Sequence, residues 1–389
     1  MEFSIEYCEK KLVLKNPQIL EAEKAYLQAY LNKVNGYKVI GFHQGSPVFS
    51  LYQPPLATPV GQRSLDFRLS RRFQHLRVPA TATLSITKAC QCECEHCSAV
   101  FYNHAQQKEL SCDELKKAIQ QTCALGTTTI IFLGGEPTLH KNFIELVKSV
   151  PLEKASVIFF SNGERLNREL CCQLQEAGVL GCFISLDSTD PDTHDRFRQR
   201  KGLFAKALQG VQAMREAGLL VGISSHLSPT NLEQNHFENT LELAKLVGAH
   251  EVTFFDAIPS GRWLQDETCL LQPKDREKIA KLVREYRKKL DYPGISAQST
   301  MTSVCGSAFC FAANTQFYLT AFGDMCPCDF TPLTIGRFPE QSIQELWQKM
   351  TSTSPYHQRA KACRMQDKTF REQYIHPIPK HGPFPYPLS

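Results

Sequence analysis

The sequence predicts an α/β protein: a partial (βα)6 TIM-type barrel at residues 81–295, a small α+β domain before it at 1–80, and a hairpin-helix extension after it at 296–389. Three observations carry that prediction. From Leu84 onward, six short apolar runs alternate with amphipathic helical stretches, which implies a parallel sheet with right-handed crossovers. Polar and glycine-rich motifs follow directly on several of those runs. After Pro293 the alternation gives way to cysteines, aromatics and turn residues.

A chain of 389 residues with 42% hydrophobic content can bury such a core, and at roughly 150 residues per domain it suggests two or three units. The net charge of +5 is mild for this length and does not imply nucleic acid. No stretch approaches the roughly 18 apolar residues of a membrane span, and "MEFSIEYCEKKLVLKNPQ" lacks the layout of a signal peptide, so a cytoplasmic protein is expected. Sixteen cysteines in such a chain point to metal or redox use rather than to a disulfide framework.

Residues 1–80 open with a strand-like start, a helix through "PQILEAEKAYLQAYLNKV" and a hairpin-like "YKVIGFHQGSPVFSLY", and "QPPLATP" reads as a linker. The role of this segment stays open. In "QRSLDFRLSRRFQHLR" (62–77), Leu65, Leu69, Phe73 and Leu76 make one apolar stripe among five arginines. The expected reading is a helix packed on its own domain with solvated arginines. The alternative is contact with an anionic lipid surface or an acidic peptide.

The six repeating units then follow in order. LSIT precedes SCDELKKAIQQTCALG, TTTIIFL precedes HKNFIELVKSV, and ASVIFFS precedes NRELCCQLQEAG. LGCFISL leads to the helix ending in FAKALQGVQAMREAG, LVGISSHL to HFENTLELAKLVG, and EVTFFDAI to PKDREKIAKLVREYRKKL. In such barrels the chemistry sits at the carboxyl ends of the strands. The loop after the first strand, "ITKACQCECEHCSAV", holds Cys90, Cys94 and Cys97 in C-x3-C-x2-C spacing, with Cys92 as an extra. Three thiolates on one loop suit three corners of an iron–sulfur cube, whose fourth iron stays open to another ligand. A structural zinc remains the alternative, although no second C-x2-C pair completes it.

This loop resembles the signature of the radical SAM superfamily, with His96 at the usual aromatic position. "FLGGEPTL" (132–139) resembles the family's GGEP motif, "FFSNG" (159–163) its strand-three ending, "ISLDS" (184–188) its strand-four ribose contact, and "HDRFR" (194–198) its usual continuation. Five motifs in order make the resemblance specific. It implies a 4Fe-4S cluster on Cys90, Cys94 and Cys97, with S-adenosylmethionine (SAM) on the open iron. The resemblance also implies reductive cleavage to a 5'-deoxyadenosyl radical, and an electron donor such as flavodoxin or ferredoxin. Cofactor contacts are expected from Gly134, Gly135, Glu136 and Pro137, from Ser161 and Asn162, and from Ser185 and Asp187. Glu136 would offer its carboxylate to the SAM ammonium. Arg198 would meet the SAM carboxylate with its planar fork, Arg196 or Arg200 being substitutes, and His96 would lie against the adenine or a cluster edge.

The extension contains Cys305, Cys310, Cys326 and Cys328, with Cys363 beyond. TQFYLTA with its FGD turn reads as a hairpin. The stretch from Cys310 through Gly323 to Cys328, then "TIGRF" and "SIQELW", resembles the Twitch or truncated SPASM extension. That resemblance implies one auxiliary 4Fe-4S cluster, with Cys310, Cys328 and Cys363 as ligands, Cys305 as the fourth, and Cys326 as a substitute or a hydrogen donor. Cys123, Cys171, Cys172 and Cys182 lie on expected helices or strands and read as small hydrophobes. The tail "HPIPKHGPFPYPLS" reads as extended, lying across the body.

The expected function is hydrogen abstraction from a peptide or protein side chain, with a precursor peptide as partner. The loop "AIPSGRW" (257–263) resembles loops of the peptide and tetrapyrrole groups within the superfamily. A tetrapyrrole, sugar-like, lipid or other small-metabolite substrate is the alternative, and a non-enzymatic iron–sulfur or zinc scaffold is the third reading.

Overall fold

A computed structural model describes residues 2–100, 102, 107–301, 309–379 and 382–388. At the N-terminus, β1 (Glu2–Cys8) and β2 (Lys11–Gln18) form an antiparallel hairpin against α1 (Glu21–Asn35). A second hairpin follows, β3 (Gly41–His43) with β4 (Ser46–Val48). Helix α2 (Pro59–Phe73) starts where Thr58 Oγ1 accepts from Gly61 N (3.2 Å) and Pro59 occupies the first turn. Leu65 and Leu69 of α2 join Phe3, Leu12, Leu27 and Leu31 in one closed cluster, so half of the expected stripe is buried in its own domain. Phe73 turns edge-on to Tyr26 (5.8 Å). Leu76 lies past the end of the helix and is exposed, so it leaves the stripe.

The core then runs as β5 (Thr81–Ser85), α3 (Cys112–Leu125), β6 (Thr129–Leu133), α4 (Phe143–Lys148), β7 (Ser156–Ser161) and α5 (Arg168–Glu176). It continues with β8 (Gly181–Ser185), α6 (Pro191–Arg198), α7 (Leu203–Glu216), β9 (Leu220–Leu227), α8 (Pro229–Glu233) and α9 (His236–Leu246). Last come β10 (Glu251–Asp256), α10 (Pro273–Tyr286) and β11 (Gly294–Ala297). Strands β5 to β11 pair in parallel in sequence order, as the alternation predicted. The seventh, β11, was not predicted. Its four residues, GISA, are too short for a periodic signal. Cys123, Cys171 and Cys182 are buried as expected, but Cys172 is exposed, because neighbours on a helix point about 100° apart.

The extension is built into this sheet. Strand β12 (Gln316–Leu319) pairs in parallel with β5, and β13 (Met325–Cys326) returns antiparallel beside it, forming the predicted hairpin. After β14 (Leu333–Thr334), helix α11 (Ile343–Ser352) lies on α3, where Ile343 N donates to Gln121 Oε1 (2.9 Å). The tail returns as β15 (Tyr386–Pro387), parallel to β14.

At the amino ends of the strands the barrel is closed by residues 40–52. Leu51 is buried there with Ile131, Ile158 and Phe183, and Tyr52 stacks on Phe183 (5.0 Å) with its hydroxyl 3.1 Å from Thr253 Oγ1. Glu251 anchors this segment by accepting from Ser50 Oγ (2.8 Å), Leu51 N (2.7 Å) and Ser296 Oγ (2.5 Å). The N-terminal unit therefore forms the floor of the barrel, and the carboxyl ends of the strands remain as the mouth. Among the described residues, no helix is long and apolar enough to cross a membrane.

Candidate active site

The cysteine loop leaves β5 and is held by backbone bonds from three directions. Gly135 N donates to Thr87 O (2.8 Å) and Glu136 N to Ala89 O (2.8 Å). Glu93 N and Glu95 N donate to Arg198 O and Phe197 O, and Arg262 N donates to Cys97 O (3.2 Å). Glycine is required at two of these contacts. A Cβ on Gly135 would collide with the carbonyl oxygens of Ala89 and Lys88, and one on Gly261, which has φ +51°, would collide with Cys97 O. Three of the motifs thus shape one loop.

Within it, the Cys92 thiol is buried and bonds to both Cys90 and Cys94, with Asn162 Nδ2 3.7 Å away. Those bonds lower the Cys90 thiol and bring Cys94 down to about 7, whereas they raise Cys92 and burial raises Cys97. Three sulfurs, two of them inclined to the thiolate form, suit an iron–sulfur cluster as a donor set. Beside them, His96 lines the cavity, and its Nδ1 is buried with no hydrogen-bond partner.

The Glu136 carboxylate is not presented as a free group. It accepts from Thr138 N (3.2 Å), Thr138 Oγ1 (2.6 Å), Ser161 Oγ (2.9 Å) and Asn162 N (2.8 Å), while burial raises its pKa. These bonds tie the GGEP turn to the end of β7, and Glu136 lines the cavity. Pro137 opens a short 3-10 turn, and Ser185 lines the cavity at the end of β8. Asp187 is buried and accepts from Arg198 Nε (2.7 Å), with His226 Nδ1 at 3.1 Å and His96 Nε2 at 3.7 Å. Burial alone would raise the Asp187 carboxyl, but Arg198 and the two histidines hold it well below the usual range. Arg198 therefore commits Nε to an internal partner. Of its two expected substitutes, Arg196 bonds Thr193 and Arg200 pairs with Glu164, both away from the cavity.

Three site residues escaped the sequence reading. His226, at the end of β9, stacks on Phe197 (5.0 Å) and on His96 (5.1 Å), and Trp263 closes the group at 5.7 Å from His226. The strand-end rule that selected Ser185 would have selected His226 as well. Burial brings His96 down to about 3, so it stays neutral.

The second cysteine group lies on the wall of the same cavity. The free thiols of Cys310 and Cys363 are hydrogen-bonded to each other, and Cys328 lies close enough to raise Cys363 by its charge. The Cys363 bond brings Cys310 down to about 7, and burial lifts Cys328 to about 12. Tyr356 is buried beside Cys328 and Cys310, and that burial raises its hydroxyl well above its ordinary value. Cys326 does not line the cavity. Pro327 turns the chain after β13, leaving Cys326 fully buried opposite Tyr318, where it cannot present hydrogen to a substrate. Cys305 lies outside the described residues. The cavity, of about 1320 Å³, runs from Cys90, Cys94 and Cys97 at the mouth past Cys310, Cys328 and Cys363 to Tyr52 at the floor.

Comparison with known proteins agrees with this geometry. A profile of the radical SAM superfamily matches residues 84–244, and one for an iron–sulfur cluster-binding domain, SPASM, matches residues 310–371. The AdoMet-dependent heme synthase of Methanosarcina barkeri is 28% identical over 299 residues, 69% of this chain and 82% of that protein. The sporulation killing factor maturation protein SkfB of Bacillus subtilis is 28% identical over 271 residues, 69% of this chain and 65% of that protein. The fold resembles Streptococcus suis SuiB bound to precursor peptide SuiA, with a TM-score of 0.59 and 12% identity over 91% of this chain and 88% of that one. An iron–sulfur cluster, SAM and auxiliary iron–sulfur binding follow from the two domains, and the five motifs, the parallel sheet and the two cysteine groups meet in one assignment: this chain is a radical SAM enzyme with a C-terminal SPASM domain.

Proposed function

We propose that this enzyme removes a hydrogen atom from a side chain of a peptide or protein lodged in the barrel, with one auxiliary 4Fe-4S cluster taking part in the oxidation. The observation that carries the reading is the single cavity lined by both cysteine groups. Cys90, Cys94 and Cys97 would hold the first cluster, and Cys310, Cys328 and Cys363 the second. When bound, the first cluster and SAM supply a 5'-deoxyadenosyl radical, given one electron from a donor such as flavodoxin or ferredoxin. The chain's own residues orient and enclose. The GGEP backbone and Ser185 would position SAM, and the Asp187–Arg198 pair would fix the pocket's polar wall. The His96, Phe197, His226 and Trp263 group would exclude water. Similarity to the SkfB maturation protein favours a peptide.

A tetrapyrrole substrate is the second reading. Tyr52, Phe160, Phe255 and Phe330 give the cavity aromatic walls that suit a flat apolar macrocycle, and the heme synthase relative points the same way. Anaerobic reconstitution followed by dithionite and SAM tests the enzyme reading. We expect 5'-deoxyadenosine with about eight irons per chain, the sum of two four-iron clusters. Cys94→Ala should abolish the product, whereas Cys92→Ala should retain both iron and product. An inactive, iron-depleted Cys92→Ala protein would move a ligand to Cys92.

A further inference from the structure

We propose that the floor-side end of the cavity is a carboxylate-binding subsite, formed by Arg68, Arg71 and Arg359, that anchors the substrate while its far part is presented to the cysteine loop. The inference rests on the reading that the substrate occupies this cavity. Arg68 and Arg71 stand three residues apart on α2, on one side of the helix, whereas Leu65 and Leu69 turn to the N-terminal core. Arg359 reaches the same space from the loop after α11.

The charges there are uncompensated. Four other arginines have acidic partners: Arg198 has Asp187, Arg200 has Glu164, Arg337 has Asp324 and Arg371 has Glu267. Among the described residues, no carboxylate lies within ion-pair distance of Arg68, Arg71 or Arg359. Arg68 has the Tyr26 hydroxyl at 3.4 Å and the face of Tyr30 at 4.1 Å, and Arg71 has only the Val78 carbonyl at 3.4 Å. Nor are Arg68 and Arg71 framework donors like Arg77, which donates to the carbonyls of Thr351, His357 and Ala313. Crowding leaves its mark on Arg71, which burial, Arg68 and Arg359 together bring down to about 10. Gathered cations of this kind lower the free energy of an anion in their midst, and the guanidinium fork fits a carboxylate with two parallel bonds.

The two ends are separated by the length of β5. Thr81 lines the cavity near the arginines and Ser85 near the cysteine loop, four residues or about 13 Å of extended strand apart. An extended peptide crosses that distance in about four residues. The subsite thus calls for an acidic side chain or terminal carboxylate about four residues from the modified position. The carboxylated arms on the far edge of a tetrapyrrole would offer the same chemistry.

The test uses cluster-loaded protein with SAM and two matched pairs of probes. One pair is coproporphyrin III and its tetramethyl ester, and the other is a ten-residue peptide carrying glutamate and its glutamine counterpart. Binding is read by quenching of tryptophan fluorescence. We expect at least one acid form to bind tenfold more tightly than its neutral partner, and which pair responds identifies the source of the carboxylate. The preference should vanish in R71Q/R359Q and persist in R71K/R359K. Should R71Q/R359Q fail to fold, R359Q alone, in an exposed loop, must reduce the preference at least threefold. Equal binding of acid and neutral forms, binding of no probe, or an unchanged preference in the glutamine variants overturns the subsite. Wild-type cleavage of SAM is followed in parallel. Acid preference without cleavage would count against the proposed hydrogen abstraction and keep the subsite, and cleavage without preference would do the reverse.

Discussion

Three side chains of the site, Arg198, His226 and His96, converge on Asp187. Replacing it with asparagine leaves the Arg198 guanidinium buried without its counter-charge, which costs about 3 to 5 kcal/mol. Thermal unfolding should therefore show a clear drop for Asp187→Asn, together with weaker SAM binding. The folded carboxyl lies well below 3.8, so its contribution is complete above the ordinary aspartate range and is lost as pH falls through the folded value. The stability gap between wild type and Asp187→Asn should stay flat from pH 5 upward and close only in strong acid; a gap that closes near pH 6 would mean the pair is not the cause. His96 adds a different loss. It stays neutral in the fold down to about 3, so the unfolded chain takes up its proton first as pH drops below 6.5. The sequence showed Asp187 and Arg198 as separate cofactor contacts because their motifs do not say which side chains face one another. Glu136 shows the same limit: its motif marks the residue, and only the fold shows the four hydrogen bonds that its carboxylate accepts.

Between elements, the cysteine loop owes its shape to neighbours that approach as bare backbone. Gly135 presses on it from the β6 side and Gly261 from the loop after β10. Gly261→Ala adds a Cβ where Cys97 O already lies, at a φ of +51° that alanine also resists, so the loop must yield. Iron content at the first site and SAM affinity should both fall in Gly261→Ala while overall helicity is kept. An alanine variant with full iron loading would show that the contact is slack. The strands were legible because β5 to β10 are apolar runs between amphipathic helices, and the motifs stood at their ends. Strand β11 was not, being four residues long, and the pairing of β12 with β5 is a long-range register that no local pattern encodes.

At the scale of the molecule, that pairing makes the auxiliary unit part of the barrel rather than an attachment to it. Strand β12 covers the edge of β5, Phe317 and Leu319 enter the main core, and Trp347 Nε1 donates to Arg77 O (2.7 Å) across the junction with the N-terminal unit. A chain ending after Ala297 would expose one face of the β5 ladder and the apolar surface that α11 covers on α3. We predict that this fragment aggregates, judged by size-exclusion chromatography and by loss of a cooperative melt. Removing only the ligands should act differently. Cys310→Ala with Cys363→Ala exchanges two buried thiols for small apolar groups, so the barrel should remain folded, iron should fall from about eight to about four per chain, and uncoupled SAM cleavage should survive. A soluble, cooperatively melting fragment 1–297 would show that the sheet is complete without β12, and the auxiliary cysteines would then sit on a separable module. Loss of SAM cleavage in the double cysteine variant, with the fold retained, would instead tie the two sites through the electrons they exchange across the shared cavity.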